Sequence, residues 1–352
     1  MSSLIVAPTV EPGVNVTPLP RTQSTAKPGL RLVPTVCCLC QFEDVEPIGV
    51  GEDFEYRTSA DTFLAVRCRR CELIFLDPRP ADDEAGRIYP DHYHAFGFDV
   101  NEFGLVHAIR RRLEARRVLN WCCGLPANAR ILDVGCGDGF HLQLLRDFGR
   151  RSWTLEGADT DLRAVEAARK SGLAVHHGAV EALTLTGGYH LILMVMTVEH
   201  LADPVGVLKA VRNLLAPGGR VVIVTDNAAS PDFAVFGGRH WGGYHFPRHF
   251  NLFSRVTLAK LARKADLDVD GIVTDFSPVN WVYSIRNWLD DWGAPRWLVN
   301  CFSLKSAPAL AAFTLFDIPL AMSGHGGILR ATFRRSLTDP LTDPLADTGV
   351  TS

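Results

Sequence analysis

Two pairs of cysteines have the spacing of a metal site. The pairs are Cys37/Cys40 and Cys68/Cys71, with 27 residues between them. Four thiolates from two such pairs suit a tetrahedral Zn²⁺ ion, which would help to fold a module with little core of its own. The pattern predicts one structural zinc, with Cys38 as a spare thiol that could replace Cys37. The alternatives are a set of buried cysteines without metal and, less favoured because no thioredoxin-like βαβ pattern surrounds either pair, a redox pair.

A glycine-rich stretch marks a second candidate site. Residues 131–139 read Ile-Leu-Asp-Val-Gly-Cys-Gly-Asp-Gly, so an apolar run ends in Asp133 and glycine follows at every second position. The pattern predicts a buried strand, a tight turn and the start of a helix, whose free N–H groups suit an anionic ligand. A second acid, Asp159, follows the next apolar run about 20 residues later, where it can accept from both ribose hydroxyls of an adenosine cofactor.

Alternating strand and helix patterns surround the glycine-rich stretch. From about residue 129 to 275, apolar runs that predict strands are separated by amphipathic runs that predict helices. This alternation predicts a doubly wound, mostly parallel α/β sheet. The predicted strands are 131–134, 153–158, 173–176, 191–196, 221–225 and 268–276, with 327–334 as an antiparallel seventh.

The glycine spacing differs from the G-x-G-x-x-G of dinucleotide-binding folds. With an acid two residues before the first glycine, it resembles motif I of the class I S-adenosylmethionine-dependent methyltransferases. The segments 198–204, 215–219, 237–241 and 246–254 resemble loops after strand four and around strand five in that family. The resemblance covers roughly residues 37–275. It implies a Rossmann-like seven-stranded methyltransferase sheet with an N-terminal zinc-ribbon-like module and a helical insertion near the C-terminus.

The resemblance implies S-adenosylmethionine as the cofactor. Its methionine end would lie in the glycine turn and its ribose on Asp159. Ala179 stands where many relatives carry an acid near the adenine, so backbone groups around Val180 are expected to serve instead. The implied cofactor-binding residues are Asp133, Gly135, Cys136, Gly137, Gly139, Asp159, Thr160, Val180, Met196 and Thr197.

The branch of the family with an N-terminal cysteine module often acts on sugars and other small metabolites. The resemblance therefore implies O- or C-methylation of a sugar or secondary metabolite. Such a reaction needs a base for the acceptor's proton. His249 is the preferred base because its loop covers the reactive face in this architecture, and Tyr244 or Arg248 would help to position it. His200 and His245 are the other candidates, and each histidine could instead be structural.

The charge and composition of the chain limit which binding partners are expected. The 352 residues carry a formal net charge of −3, which argues mildly against nucleic acid. The alternative function is an RNA-directed methyltransferase, or a non-catalytic binding protein, that uses the zinc module. Residues 41–61 carry seven acids against one arginine, Arg57, which disfavours RNA. The N-terminus lacks a signal-peptide pattern, so a cytoplasmic location is expected.

The chain divides into regions of different composition. Residues 1–30 and 337–352 are expected to be disordered tails, 31–85 a zinc-binding module, 86–128 a helical linker and 129–336 the S-adenosylmethionine-dependent methyltransferase domain, with an insertion at 280–325. Four tryptophans within that insertion suit a substrate lid, a peripheral membrane contact or extra core. The aromatic run 73–94 either lines a substrate site or packs the zinc module on the next domain.

Overall fold

The computed structural model describes residues 29–90, 93 and 104–335, without the side chains of 104–110. Most of both expected tails, and of the segment 91–94, lies outside these residues. The strands are β1 (Leu32–Val33), β2 (Val45–Gly51), β3 (Phe63–Cys68), β4 (Ile74–Leu76), β5 (Arg79–Pro80), β6 (Arg130–Val134), β7 (Thr154–Asp159), β8 (Ala174–His177), β9 (Tyr189–Val195), β10 (Leu215–Asp226), β11 (Asn251–Leu252), β12 (Asp268–Asp275) and β13 (Ile328–Arg334). The helices are α1 (Ala85–Ile88), α2 (Gly104–Trp121), α3 (Phe140–Phe148), α4 (Leu162–Lys170), α5 (Pro204–Leu214), α6 (Pro231–Phe236), α7 (Arg255–Lys264), α8 (Pro278–Asp291), α9 (Arg296–Asn300) and α10 (Ala307–Met322).

A seven-stranded sheet forms the larger layer. Its strand order is β12-β13-β10-β9-β6-β7-β8, and β13 is antiparallel to both of its neighbours. The five strands from β10 to β8 pair in parallel. The central strands β6 and β9 are apolar because both faces are covered, and Leu132, Ile192 and Leu193 are fully buried. The predicted Rossmann-like sheet with an antiparallel last strand is confirmed.

Side-chain caps fix where the crossover helices begin. Asp161 accepts from two backbone N–H groups at the start of α4, and Asp203 caps α5 ahead of Pro204 in the first turn. Ser254 and Thr257 form a capping box at the start of α7. Each helix therefore starts immediately after a loop at the carboxyl edge of the sheet, the edge at which open α/β sheets bind ligands.

Strand β10 begins earlier than the sequence suggested. The family-like loop at 215–219 and the predicted strand 221–225 imply a turn before the strand, but the chain is extended from Leu215 to Asp226. The turn survives as an irregularity inside the strand, because Gly218 has a φ of +71° and the register shifts between Leu215 and Arg220.

A second sheet joins the cysteine-bearing module to the methyltransferase domain. Its antiparallel order is β11-β4-β3-β2, and β11 comes from the loop that follows β10. Additional backbone bonds tie the same loop to the module, including Val50 N–H to the Gly238 carbonyl at 3.0 Å. The loop that carries His249 is thus held between the two sheets.

The insertion between β12 and β13 forms helices α8, α9 and α10. The first half of α8 is buried, with Trp281 stacked on Phe313 of α10 at 6.1 Å between ring centroids. This half supplies extra core, as one of the expectations held, whereas α10 exposes much of its surface. Within the part of the chain that the structure describes, every helix is too short or too polar to cross a membrane.

Candidate functional site

The turn between β6 and α3 requires glycine for its backbone. Gly135, Gly137 and Gly139 all have positive φ, at +71°, +55° and +81°. A Cβ on Gly135 would also lie 2.6 Å from side-chain atoms of Thr197, so the turn is tightly packed against the segment that follows β9. The predicted glycine turn thus lies at the carboxyl end of β6, directly before α3.

Asp159 at the end of β7 is fixed beside this turn. Its two carboxylate oxygens accept from Gly137 N–H at 2.8 Å and Asp161 N–H at 2.9 Å. Each oxygen retains a second lone pair, so the carboxylate can still accept from a hydroxyl group. Burial raises the pKa of Asp159. A fixed acceptor beside a glycine turn and the start of α3 fits the ribose and the amino-acid part of S-adenosylmethionine.

The other residues expected around the cofactor lie at the same edge. Cys136 is buried and its N–H donates to the Ala158 carbonyl at 3.2 Å, while the Thr197 hydroxyl donates to the Val134 carbonyl at 3.1 Å. Met196 has a φ of +52° and exposes its side chain. The remaining expected residues at this edge are Asp133, which is buried at the end of β6, Thr160, which follows β7, and Val180, which follows β8.

The three candidate histidines form one cluster. The ring centroids of His200 and His249 are 4.6 Å apart, and those of His245 and His249 are 4.9 Å apart. His200 follows β9 and comes three residues after Thr197, whose side chain contacts the glycine turn, so the cluster lies at the cofactor edge of the sheet. The structure also brings Tyr89 and Tyr93 of the aromatic run against these rings.

His249 has the hydrogen bonding of a base. Its Nδ1 lies 2.8 Å from the Gly243 carbonyl oxygen. Because a carbonyl only accepts, Nδ1 carries the proton and Nε2 is the basic nitrogen. Burial, then the neighbouring His200 and His245, lower the pKa of His249 well below its usual value. The imidazole is therefore neutral at neutral pH and able to take up a proton.

The other two histidines have different partners. His200 Nδ1 lies 2.8 Å from the Tyr89 hydroxyl and 3.1 Å from the Arg248 carbonyl. His245 has a φ of +40° and an ion-pair contact of 2.6 Å from its Nδ1 to Glu55. Glu55 thus occupies Nδ1 of His245, and His249 stays the preferred base.

Arg248 and Tyr244 hold the loop that carries His249. The buried guanidinium of Arg248 pairs with Asp53 at 2.7 Å and donates to the Ile88 carbonyl at 2.7 Å. The buried Tyr244 hydroxyl donates to the Gly237 carbonyl, and its ring stacks on Phe246 at 4.6 Å. Both side chains therefore face protein groups, and a positioning role through the loop suits them better than contact with an acceptor.

Two buried acids beside the histidines did not emerge from the sequence. Burial and then the charge of Asp226 raise the pKa of Glu199 to about 8, and burial raises the pKa of Asp226 to about 7. Asp226 Oδ2 lies 3.6 Å from His249 Nδ1, and Asp226 Oδ1 accepts from Asn280 at 2.8 Å. Their positions in the sequence could have identified them. Asp226 ends a strand at the carboxyl edge of the sheet, and Glu199 follows another strand there and directly precedes His200.

The four predicted cysteine ligands converge. Their sulfur atoms all lie within 4.8 Å of one another. Cys37 and Cys71 are 3.2 Å apart and Cys40 and Cys68 are 3.5 Å apart, near the ~3.8 Å that a tetrahedron with 2.3 Å zinc–sulfur bonds requires. Cys38 instead lies 3.4 Å from Asn251 Oδ1, outside the set. The geometry therefore fits a zinc ion bound by Cys37 rather than by Cys38.

Comparison with known proteins identifies the family of this chain. A family profile described as a methyltransferase domain matches residues 105–271, which include the glycine turn and His249. The ubiquinone biosynthesis O-methyltransferase of Cereibacter sphaeroides is 35% identical over 169 residues, or 44% of this chain and 67% of the relative. The enzyme of the same name from Bordetella avium is 31% identical over 202 residues, or 53% of this chain and 80% of the relative.

Among solved structures, geranyl diphosphate methyltransferase in complex with SAM covers 65% of this chain and 87% of its own, at a TM-score of 0.44 and 15% identity. A likeness at that level has no weight for the assignment, which rests on the sequence relatives and the site. The chain belongs to the class I S-adenosylmethionine-dependent methyltransferases and is an enzyme of that family.

Proposed function

We propose that the chain methylates an oxygen or an acidic carbon of a small molecule, with sugars and secondary metabolites as the acceptor classes and His249 as the general base. The observation that carries this proposal is the placement of His249, which is buried in the histidine cluster with its Nδ1 2.8 Å from the Gly243 carbonyl oxygen. The relatives named above are O-methyltransferases, which supports a small hydroxylated acceptor.

Each part of the site then has a task. The turn 133–139 and Asp159 would hold S-adenosylmethionine, which supplies an electrophilic methyl group when bound. His249 Nε2 removes the proton from the acceptor as its oxygen or carbon becomes the nucleophile. The Gly243 carbonyl, and Asp226 at 3.6 Å, stabilise the imidazolium that results. Arg248, through its buried pair with Asp53, holds the loop in place.

We also propose that Cys37, Cys40, Cys68 and Cys71 bind one structural Zn²⁺. Four thiolates complete a tetrahedral coordination sphere, so such an ion has no open position for an acceptor. Its role would be to fix the sheet that β11 joins, and through β11 the loop that contains His249.

The test is methyl transfer from labelled S-adenosylmethionine into fractionated lysate of the source cell and into total RNA. We expect label in a small molecule and none in RNA; labelled RNA would contradict the proposed acceptor class. His249→Ala should lower kcat by ~10²–10⁴-fold while the Kd for S-adenosylmethionine stays unchanged. His176→Ala, on β8, is the matched control. If His249→Ala retains near-normal turnover, the base lies elsewhere, and His200 is the next candidate.

A further inference from the structure

Helix α10 presents an apolar face to solvent. Leu315 is 71% exposed and Met322 is 85% exposed, and the one charged residue of the helix, Asp317, is fully buried. A surface helix normally turns its polar side outward, so this arrangement is reversed. The exposed residues of α10 recur three or four positions apart along one side of the helix: Ala307, Pro308, Ala311, Ala312, Leu315, Phe316, Pro319 and Met322.

The orientation of α10 is fixed from its inner side. The buried carboxylate of Asp317 accepts from Ser277 N–H at 2.6 Å and from the indole of Trp281 at 3.3 Å. Trp281 also packs on Phe316 with its ring edge, at 5.2 Å between centroids. Rotating α10 to hide Leu315 and Met322 would strand a buried carboxylate, so the apolar face stays outward.

Exposed tryptophans also lie at the end of α8 and in α9. Trp292 is 77% exposed and Trp297 is 70% exposed, and Trp292 stacks on Trp288 at 5.4 Å. Indole rings have an apolar body and a polar N–H, and they are enriched where membrane meets water.

The exposed charge beside these tryptophans is basic. The charged residues that line a cavity of about 190 Å³ are Arg57, Arg286 and Arg296, with two acids, Asp290 and Glu55, of which Glu55 contacts His245. Asp290 pairs with both Arg57 and Arg296 but is itself only 16% exposed, whereas the two arginine side chains are 64% and 74% exposed, so the charge that reaches solvent there is basic. Residues 278–327 hold three acids. Besides Asp290, these are the buried Asp317 and Asp291, which pairs with Arg239.

We propose that the outer face of α8–α10 docks on the surface of an anionic lipid bilayer. Leu315, Met322 and the exposed tryptophans would enter the interface, while the three arginines meet lipid phosphates. Apolar residues beside basic ones are the composition of segments that lie on anionic membranes without crossing them. Charge complementarity favours such a surface over a second copy of this chain, whose face would carry the same positive charge.

Docking would bring the catalytic loop close to the bilayer, because α8 contacts that loop directly. Gly242 N–H donates to the Ser284 hydroxyl at 2.8 Å, and Asn280 donates to Asp226, the neighbour of His249, at 2.8 Å. An acceptor dissolved in the bilayer would then meet the site at the membrane surface. Docking itself does not depend on the proposed acceptor or base.

The experiment is flotation of the full chain with vesicles of phosphatidylcholine, alone or mixed with phosphatidylglycerol. We expect binding to the anionic vesicles, weakened by salt, and quenching of tryptophan emission by lipids brominated on their acyl chains. Absence of flotation, or unquenched emission in the bound protein, would overturn the proposal.

Variants locate the surface. Leu315→Glu/Met322→Glu should weaken vesicle binding at least ~10-fold, and each of Arg286→Gln and Arg296→Gln about fivefold. Leu113→Glu, at a leucine of α2 that is 64% exposed, is the matched control and should bind as the wild type does. All variants should retain their affinity for S-adenosylmethionine. If a variant unfolds, the quenching of wild-type tryptophan emission by brominated lipids decides whether this surface enters the bilayer. A concentration-dependent dimer that Leu315→Glu abolishes would show that a second copy covers the face instead.

Discussion

At the scale of single residues, the site combines groups whose protonation differs from that of the free side chains. His249 is neutral because burial and two neighbouring histidines disfavour its cation. Glu199 and Asp226 are held partly protonated near neutral pH because burial disfavours their anions. Perturbed pKa values clustered beside a cofactor edge are typical of active sites. The base is thus available without a separate deprotonation step.

Glu199 gives a pH dependence of stability that can be measured. Its pKa is about 8 in the folded chain against an ordinary 4.5, so between these values the unfolded chain has lost a proton that the folded chain keeps. Its contribution to folding stability therefore falls as pH rises from 4.5 to 8, by at most about 1.4 kcal/mol per pH unit. Glu199→Gln should gain stability relative to the wild type as pH rises, in denaturant titrations at pH 5 and pH 8.

The control for this measurement is Glu166→Gln, at an exposed position of α4. Its stability relative to the wild type should not change with pH. A constant difference for Glu199→Gln across the same range would show that Glu199 is ionised in the folded chain.

At the scale of elements, the β6–turn–α3 unit sets the cofactor site. Gly135→Val would put a branched side chain at a φ of +71° and against Thr197. Even a Cβ alone at this position would lie 2.6 Å from side-chain atoms of Thr197. We expect the affinity for S-adenosylmethionine to fall at least ~10-fold by calorimetry, because the turn must open. Asp159→Ala should do the same by removing the acceptor from Gly137 N–H.

Gly124→Val is the matched control for strain alone. Gly124 also has a positive φ, of +79°, but a Cβ there would meet nothing within 4 Å. It should lose some stability and keep its cofactor affinity. Unchanged affinity in both Gly135→Val and Asp159→Ala would place the cofactor elsewhere.

The elements that could be predicted from the sequence are those whose signal is local. The glycine turn, Asp159 and the strands of the large sheet follow from period and spacing within short windows. The pairing of β11 with β4 joins Asn251 to Phe75, and two-residue strands carry no periodic signal. The meeting of Glu199, Asp226 and His249 likewise depends on which strands become neighbours. The four cysteines were recoverable because a metal site imposes its own spacing.

At the scale of the whole molecule, the proposed zinc would couple the two sheets. Elemental analysis of protein purified without added metal should give about one zinc per chain, and Cys68→Ser/Cys71→Ser should give almost none. In this double variant we expect the rate of methyl transfer to fall far more than the affinity for S-adenosylmethionine. The reason is that the sheet β11-β4-β3-β2 holds the His249 loop but not the glycine turn. Cys123→Ser, at an exposed thiol, is the control. Metal-free protein with full activity would refute this coupling.

The position of β11 has a consequence for biosynthesis. A strand at residues 251–252 pairs with one that leaves the ribosome about 175 residues earlier, so its partner must wait, with an unsatisfied edge, while the whole cofactor-binding core is made. If the proposed zinc were scarce at that moment, the four cysteines would not hold the N-terminal sheet together, and β11 would have no ordered strand to pair with. Cells short of zinc would then accumulate chains that sequester S-adenosylmethionine without turning it over.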